Sequence, residues 1–272
     1  MDELIRALVL GVVQGATEFI PVSSSGHLVL VPALLGWPHK GLLFDTMLHW
    51  GTLTALVVFF RHELWAVITA SLASLRHRSL ADPMARLGWL ILLGTLPAVG
   101  LGLLFKDPLE ALFGSPRGAA TFLLVTAGIL ALSELWGQGR LGRSLQELGW
   151  RDSLLIGLAQ ALALLPGISR SGSTIAAGLA RGLRREDAAR FSFLLGTPVF
   201  FAAGVLQLAD ALAGDPVGLG RQLPVLAVGF LASALTGFLA IRFLLHYLRR
   251  HSLYLFAIYC AGAGLLSLFW LR

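Results

Sequence analysis

Gln14-Gly15-Ala16-Thr17-Glu18-Phe19-Ile20-Pro21-Val22-Ser23-Ser24-Ser25-Gly26-His27 interrupts an apolar stretch running from Leu4 to Leu35, and this interruption decides the fold. On a helix, Gln14 and Glu18 are four apart and share a face. Pro21 stops that helix. Ser23, Ser24, Ser25 and Gly26 then form a turn into a second short helix. Each half is too short to cross a bilayer alone, so the pattern predicts a hairpin that enters and leaves on one side. Ser153 to Leu183 repeats the design around Pro166-Gly167-Ile168-Ser169-Arg170-Ser171-Gly172-Ser173-Thr174. Backbone that turns at membrane depth is tolerated only where protein or a watery cavity covers it. The two breaks are therefore expected to meet in one polar site.

The rest of the chain supports a membrane setting. Of 272 residues, 56% are hydrophobic and 13% charged, against about a quarter charged in a soluble domain. Apolar blocks run from Leu42 to Phe60, Leu87 to Phe105, Ala119 to Trp136, Phe191 to Leu212, Leu223 to Leu245 and Ser252 to Leu271. Each is about the length a helix needs to cross the hydrocarbon core. The expected fold is an all-α polytopic membrane protein with six full spans and two re-entrant hairpins. The net charge of +6 does not point to nucleic acid, because the basic residues sit between apolar blocks. Cys260 is the one cysteine, which excludes an internal disulfide and suits a small core residue. Asp2 and Glu3 give the first apolar stretch a poor start for a signal peptide, so it is expected to be mature structure.

Loop charges orient the chain. If each span crosses once and each hairpin returns, 14 of the 21 Lys and Arg fall on one side. They include Arg61, Arg76, Arg78, Arg140, Arg143 and the run from Arg181 to Arg190. The positive-inside rule makes that side cytoplasmic. The basic run from Arg181 to Arg190 is expected to serve topology and contact lipid headgroups. The first hairpin then enters from the outer face, with Lys40 outside, and the second from the cytoplasm. Gly11, Gln14, Ser23, Ser25 and Gly26 each match an identical residue 146 positions later: Gly157, Gln160, Ser169, Ser171 and Gly172. Three spans separate the hairpins, so the copies are inverted, as in transporter folds with broken helices and a midplane site. The chain divides as one membrane domain: a first repeat over 1–105, a linking segment over 106–152 and a second repeat over 153–272.

The polar residues carry a chemistry. An intramembrane acid such as Glu18 is a functional candidate by default. A guanidinium, here Arg170, matches phosphate oxygens in a bidentate way. Ser23, Ser25, Gly26, Ser169, Ser171, Ser173 and Thr174 supply hydroxyls and helix-start N–H groups suited to an anion. One of the serines offers a nucleophile with His27 as its base, or His27 activates water directly. Glu18, with Gln14 as a second ligand, suits a divalent cation that also binds substrate phosphate. His49 and Asp45 are secondary candidates. The bland readings are that serines mediate helix packing, that Gln14 is an interhelical hydrogen-bond partner and that Arg170 merely neutralises Glu18. The set as a whole is the equipment for phosphoryl transfer to water, on a lipid-linked phosphate because the site lies between apolar helices.

Both motifs, with Phe44-Asp45-Thr46-Met47-Leu48-His49-Trp50-Gly51-Thr52, resemble the bacitracin-resistance family of undecaprenyl-diphosphate phosphatases over essentially the whole chain. The resemblance implies hydrolysis of undecaprenyl diphosphate to undecaprenyl phosphate and inorganic phosphate, which recycles the carrier for cell-wall synthesis. It implies a bacterial cytoplasmic membrane, interlocked inverted repeats, a homodimer and a divalent cation, magnesium or calcium. Carried over by position, it makes Glu18 the acid, Ser24 the candidate nucleophile, His27 the histidine, and Ser169 and Arg170 the phosphate-binding pair. Gln14 stands where many members have a second acid, so a mechanism needing two carboxylates here is not supported. The competing reading is a polyprenyl-phosphate transporter or flippase without hydrolysis. The site is expected to open to the outer face.

Overall fold

The computed structural model describes residues 2–38, 41–105, 115–137, 142–214 and 216–271. Lys40 and Arg140, used above for orientation, lie outside the described residues. The described chain is helical: α1 Asp2–Phe19, α2 Ser24–Leu35, α3 Leu42–Phe59, α4 Arg61–His77, α5 Pro83–Leu104, α6 Pro116–Gly137, α7 Trp150–Leu162, α8 Arg170–Ala180, α9 Arg185–Gly214, α10 Pro216–Leu248 and α11 Tyr254–Trp270.

Among the described residues, four helical stretches are long and apolar enough to cross a membrane: Pro83–Leu104, Pro116–Gly137, Arg185–Leu206 and Gln222–Leu248. A fifth is reached if α3 and α4 count as one broken span, bent by 80° at Phe60. The expected count of six is thus not met by length and apolarity. The block from Ser252 yields only the 17 residues of α11, about 25 Å of helix. The stretch after Phe60, expected as a loop, is α4. Trp65, Ile68, Leu72 and Leu75 form an exposed apolar stripe at helical spacing along it, while Trp89 Nε1 on α5 donates to its Ser74 Oγ at 3.0 Å. One further expectation changes. With 18 residues, α1 is about 27 Å long, so its charges Asp2, Glu3, Arg6 and Glu18 set it apart from a span rather than its length.

The two hairpins are exchanged between the halves. α1 packs most extensively on α10, and α7 packs on α5. Equivalent glycines permit both contacts. A side chain at Gly11 would strike the Gly229 carbonyl at 2.5 Å, and one at Gly157 would strike the Gly94 carbonyl. Within each hairpin the helices also touch, α1 with α2 and α7 with α8. Under the breaks lies an apolar floor in which fully buried Phe19 and Phe193 meet edge to face at 5.2 Å.

The basic run is tied to carboxylates, a use that loop charge did not announce. Arg181 Nε lies 2.6 Å from Asp152 Oδ1, joining the foot of α8 to the foot of α7. Arg184 pairs with Asp187 at 2.6 Å, Arg185 pairs with buried Glu134, and Arg190 reaches Glu186 at 3.4 Å and Glu63 at 3.6 Å. These acids sit three to more than a hundred residues away from their partners, so the pairing was invisible to a reading of loop charge.

Candidate active site

Glu18, in the last turn of α1 and 4% exposed, lies where the breaks meet. Its Oε2 accepts from Ser24 Oγ at 2.6 Å and from Gln14 Nε2 at 3.0 Å. Its Oε1 accepts from Arg170 Nη2 at 2.9 Å. Ser24 is the first residue of α2 and Arg170 the first of α8. Two equivalent positions of the repeat thus hold the two oxygens of one carboxylate.

The turns repeat in the same way. Ser23 caps α2: its Oγ accepts from Gly26 N at 3.2 Å and lies 3.3 Å from Ser25 Oγ. Ser169 caps α8 with the matching pair, Gly172 N at 3.0 Å and Ser171 Oγ at 3.2 Å. Capping satisfies part of the four N–H groups that every helix start leaves open. These three serine and glycine pairs, Ser23/Ser169, Ser25/Ser171 and Gly26/Gly172, therefore build the turns that aim two helix starts at one place. Contact between the turns is tight, since a side chain at Gly26 would come within 3.1 Å of Gly167 Cα. Ser23 holds a φ of 68°, a left-handed conformation that costs a serine about 1–3 kcal/mol and tends to occur at functional sites. Thr126 on α6 fastens the second break, donating to Gly167 O at 2.9 Å and accepting from Ser169 N at 3.0 Å. Sequence reading missed it, because a lone threonine in an apolar span carries no signal.

Arg170 is fixed on three sides. Its Nη1 donates to Ser192 O at 2.9 Å, and its guanidinium lies 4.5 Å from the centre of the Phe200 ring. Gly196 leaves room for it, since a side chain there would meet Nη1 at 2.6 Å. With the two Nη groups engaged, Arg170 Nε is buried without a hydrogen-bond partner among the described residues. Ser173 Oγ is likewise buried and unpartnered, whereas Thr174 Oγ1 turns to Arg170 O at 2.8 Å and Ser192 Oγ at 2.7 Å. Gln14 Oε1 is also buried without a partner among the described residues.

The histidines divide differently from the sequence expectation. Both place Nδ1 on the carbonyl four residues back: His27 on Ser23 O and His49 on Asp45 O, each at 2.8 Å. Their Nε2 atoms then point to different partners. His49 Nε2 lies 3.8 Å from Glu18 Oε2, so the secondary candidate stands at the acid. His27 Nε2 lies 2.8 Å from Tyr259 Oη on α11. The expected Ser24–His27 hydrogen bond is replaced by Ser24–Glu18, because Ser24 faces α1 and His27 faces α11. Asp45 contributes its backbone carbonyl to His49.

The bacitracin resistance protein BacA family model matches residues 7–266. Relatives named undecaprenyl-diphosphatase match nearly end to end. The protein from Chlorobium luteolum is 43% identical, over 97% of this chain and 96% of its own. That from Thermomicrobium roseum is 46% identical over 97% and 96%, and that from Rubrobacter xylanophilus 49% over 95% of each. With a match of this extent and these apolar helices, the chain is a multi-pass membrane protein of the bacitracin resistance protein BacA family.

Proposed function

We propose that this protein hydrolyses a polyprenyl diphosphate, undecaprenyl diphosphate as in the name of its relatives, to the polyprenyl monophosphate and inorganic phosphate. One observation carries the reading. Arg170 Nε is a buried N–H donor without a partner among the described residues, on a guanidinium already held against Glu18 and beside the Ser24 hydroxyl. A buried donor left unpaired costs about 1–3 kcal/mol, and a phosphate oxygen would satisfy it. A donor fixed before the reaction stabilises the charge spread over a transferring phosphoryl group without reorganisation.

In this reading the Ser24 oxygen attacks the terminal phosphorus while Glu18 Oε2 takes the hydroxyl proton. The bond from that phosphorus to the bridging oxygen breaks, and the polyprenyl monophosphate leaves. Water then attacks the phosphoserine, releasing inorganic phosphate and restoring Ser24. Arg170 and the helix starts of α2 and α8 hold the phosphoryl oxygens throughout.

A divalent cation fits the donors present. Glu18 offers a carboxylate, and Gln14 Oε1 an oxygen that nothing else uses. No group of three or more His, Cys, Asp or Glu suited to a metal occurs among the described residues. The pair therefore suits magnesium or calcium completed by substrate phosphates and water, where the cation would offset phosphate charge.

The lipid part has a place to lie. An apolar groove of about 400 Å³ between α2 and α11, lined by Leu30, Val31, Leu34, Leu266 and Trp270, ends at His27. The orientation read from loop charge opens the site to the outer face, and pairing of two copies in the bilayer, checked by cross-linking, completes the reading. A transporter needs a clamp but no hydroxyl bonded to a carboxylate, so the Ser24–Glu18 contact favours the enzyme. Purified protein with a divalent cation should release phosphate from undecaprenyl diphosphate. Equal, slow release by wild type and Arg170→Ala would sink the proposal.

A further inference from the structure

The C-terminal helix α11 touches the first break at two consecutive residues. Cys260 Sγ lies 3.9 Å from Pro21 O, and Tyr259 Oη lies 2.8 Å from His27 Nε2. The first contact is packing. The second is chemically specific. A carbonyl oxygen only accepts, so the 2.8 Å contact to Ser23 O places the His27 proton on Nδ1. Nε2 of the neutral ring then carries the lone pair, and the Tyr259 hydroxyl donates to it. The rings also stack, with centroids 5.6 Å apart and planes 11° apart. His27 is 7% exposed, whereas Tyr259 remains 47% exposed beside the apolar groove. The histidine is therefore locked while its partner keeps room to move.

We propose that Tyr259 is a positioning residue for His27. From the far end of the chain it fixes the ring plane and the Nε2 partner of a histidine on the first hairpin, whose Nδ1 proton Ser23 O already holds. The partner of a functional histidine sets which ring nitrogen is basic and where it points. His49 provides the contrast. It has the same Nδ1 bond to the carbonyl four residues back, but its Nε2 faces Glu18 rather than a hydroxyl on another helix. Tyr259 thus separates the roles of two histidines that share one local geometry.

The proposal rests on the phosphatase reading for its kinetic consequence, but not for its structural one. Tyr259→Phe keeps the stacked ring and removes only the hydroxyl. Histidine ¹⁵N NMR of the wild type, with His27→Gln used for assignment, should show Nδ1 protonated and Nε2 unprotonated. In Tyr259→Phe the His27 Nε2 resonance should move while Nδ1 stays protonated on Ser23 O. Phosphate release should fall about tenfold in kcat with KM within twofold, the scale of one lost hydrogen bond. Tyr254→Phe, on the same helix, should change neither readout. An unmoved Nε2 resonance, or an unchanged kcat, in Tyr259→Phe would overturn the proposal. Absence of wild-type turnover would count against the phosphatase reading alone, and the NMR comparison would still decide the Tyr259 contact.

Discussion

Ser24 and Arg170, 146 residues apart and each the first residue of its helix, hold opposite oxygens of the Glu18 carboxylate. The repeat therefore does more than pack the chain. It converts one sequence position into a hydroxyl in one copy and a guanidinium in the other, and aims both at a single acid. The guanidinium works through its shape, with one Nη on Ser192 O, one on Glu18 and Nε spare. Arg170→Lys keeps the charge but cannot make this fork. We expect kcat/KM for phosphate release to fall about a hundredfold, the usual cost of a lost transition-state donor. A lysine variant within threefold of wild type would show that charge alone suffices.

Ser24 attack makes a sharper prediction. Ser24→Ala should lose more than about a thousandfold in kcat, because it removes the bond-forming atom rather than a hydrogen bond. Rapid quenching of the wild type with terminally labelled diphosphate should trap a phosphoserine. A loss of about tenfold with no trapped label would assign the attack to water, with Ser24 reduced to a partner of Glu18.

Much of this arrangement was legible in the sequence because it is local or repeated. Pro21 and the serine turn gave the first break, the 146-residue match gave the second, and an acid and an arginine in apolar surroundings announced a polar site. Direction was not legible. Ser24 and His27 are three apart on α2, and nothing in the sequence says that one faces α1 and the other α11. That choice is made by Glu18 on one side and Tyr259, more than 230 residues downstream, on the other. Thr126 and Ser192 were hidden for the same reason, since each earns its place only through contacts made by the folded helices. The break at Phe60 also escaped notice, because an apolar run and its amphipathic continuation look like a span and a loop when no proline or glycine divides them.

Gln14 is where this chain tests the role of the cation. Its Nε2 donates to Glu18 while its Oε1 is buried and free. Gln14→Glu replaces the donor by a second carboxylate about 3 Å from the first, an arrangement that repels itself unless a cation or a proton intervenes. Added ligand charge tightens divalent binding. The magnesium concentration for half-maximal phosphate release should therefore fall about tenfold, with less activity than wild type after chelation. An unchanged metal dependence would remove Gln14 from the cation site.

Loop charge is the basis of the proposed orientation of both hairpins, and single cysteines can test it directly. Cys260 is fully buried, so Cys260→Ala gives a background without the native thiol at the cost of a small cavity. Pro38, after α2, and Ser79, between α4 and α5, are both exposed and lie at opposite ends of α3 and α4. In intact cells, Pro38→Cys should react with a membrane-impermeant maleimide at once. Ser79→Cys should react only after permeabilisation, because Arg76, Arg78 and Arg86 mark its side as cytoplasmic. The reverse pattern would place Glu18 and Ser24 in a hairpin entering from the cytoplasm. The lipid diphosphate would then have to be supplied from the inner leaflet, which makes this labelling the measurement that decides on which side the carrier is recycled.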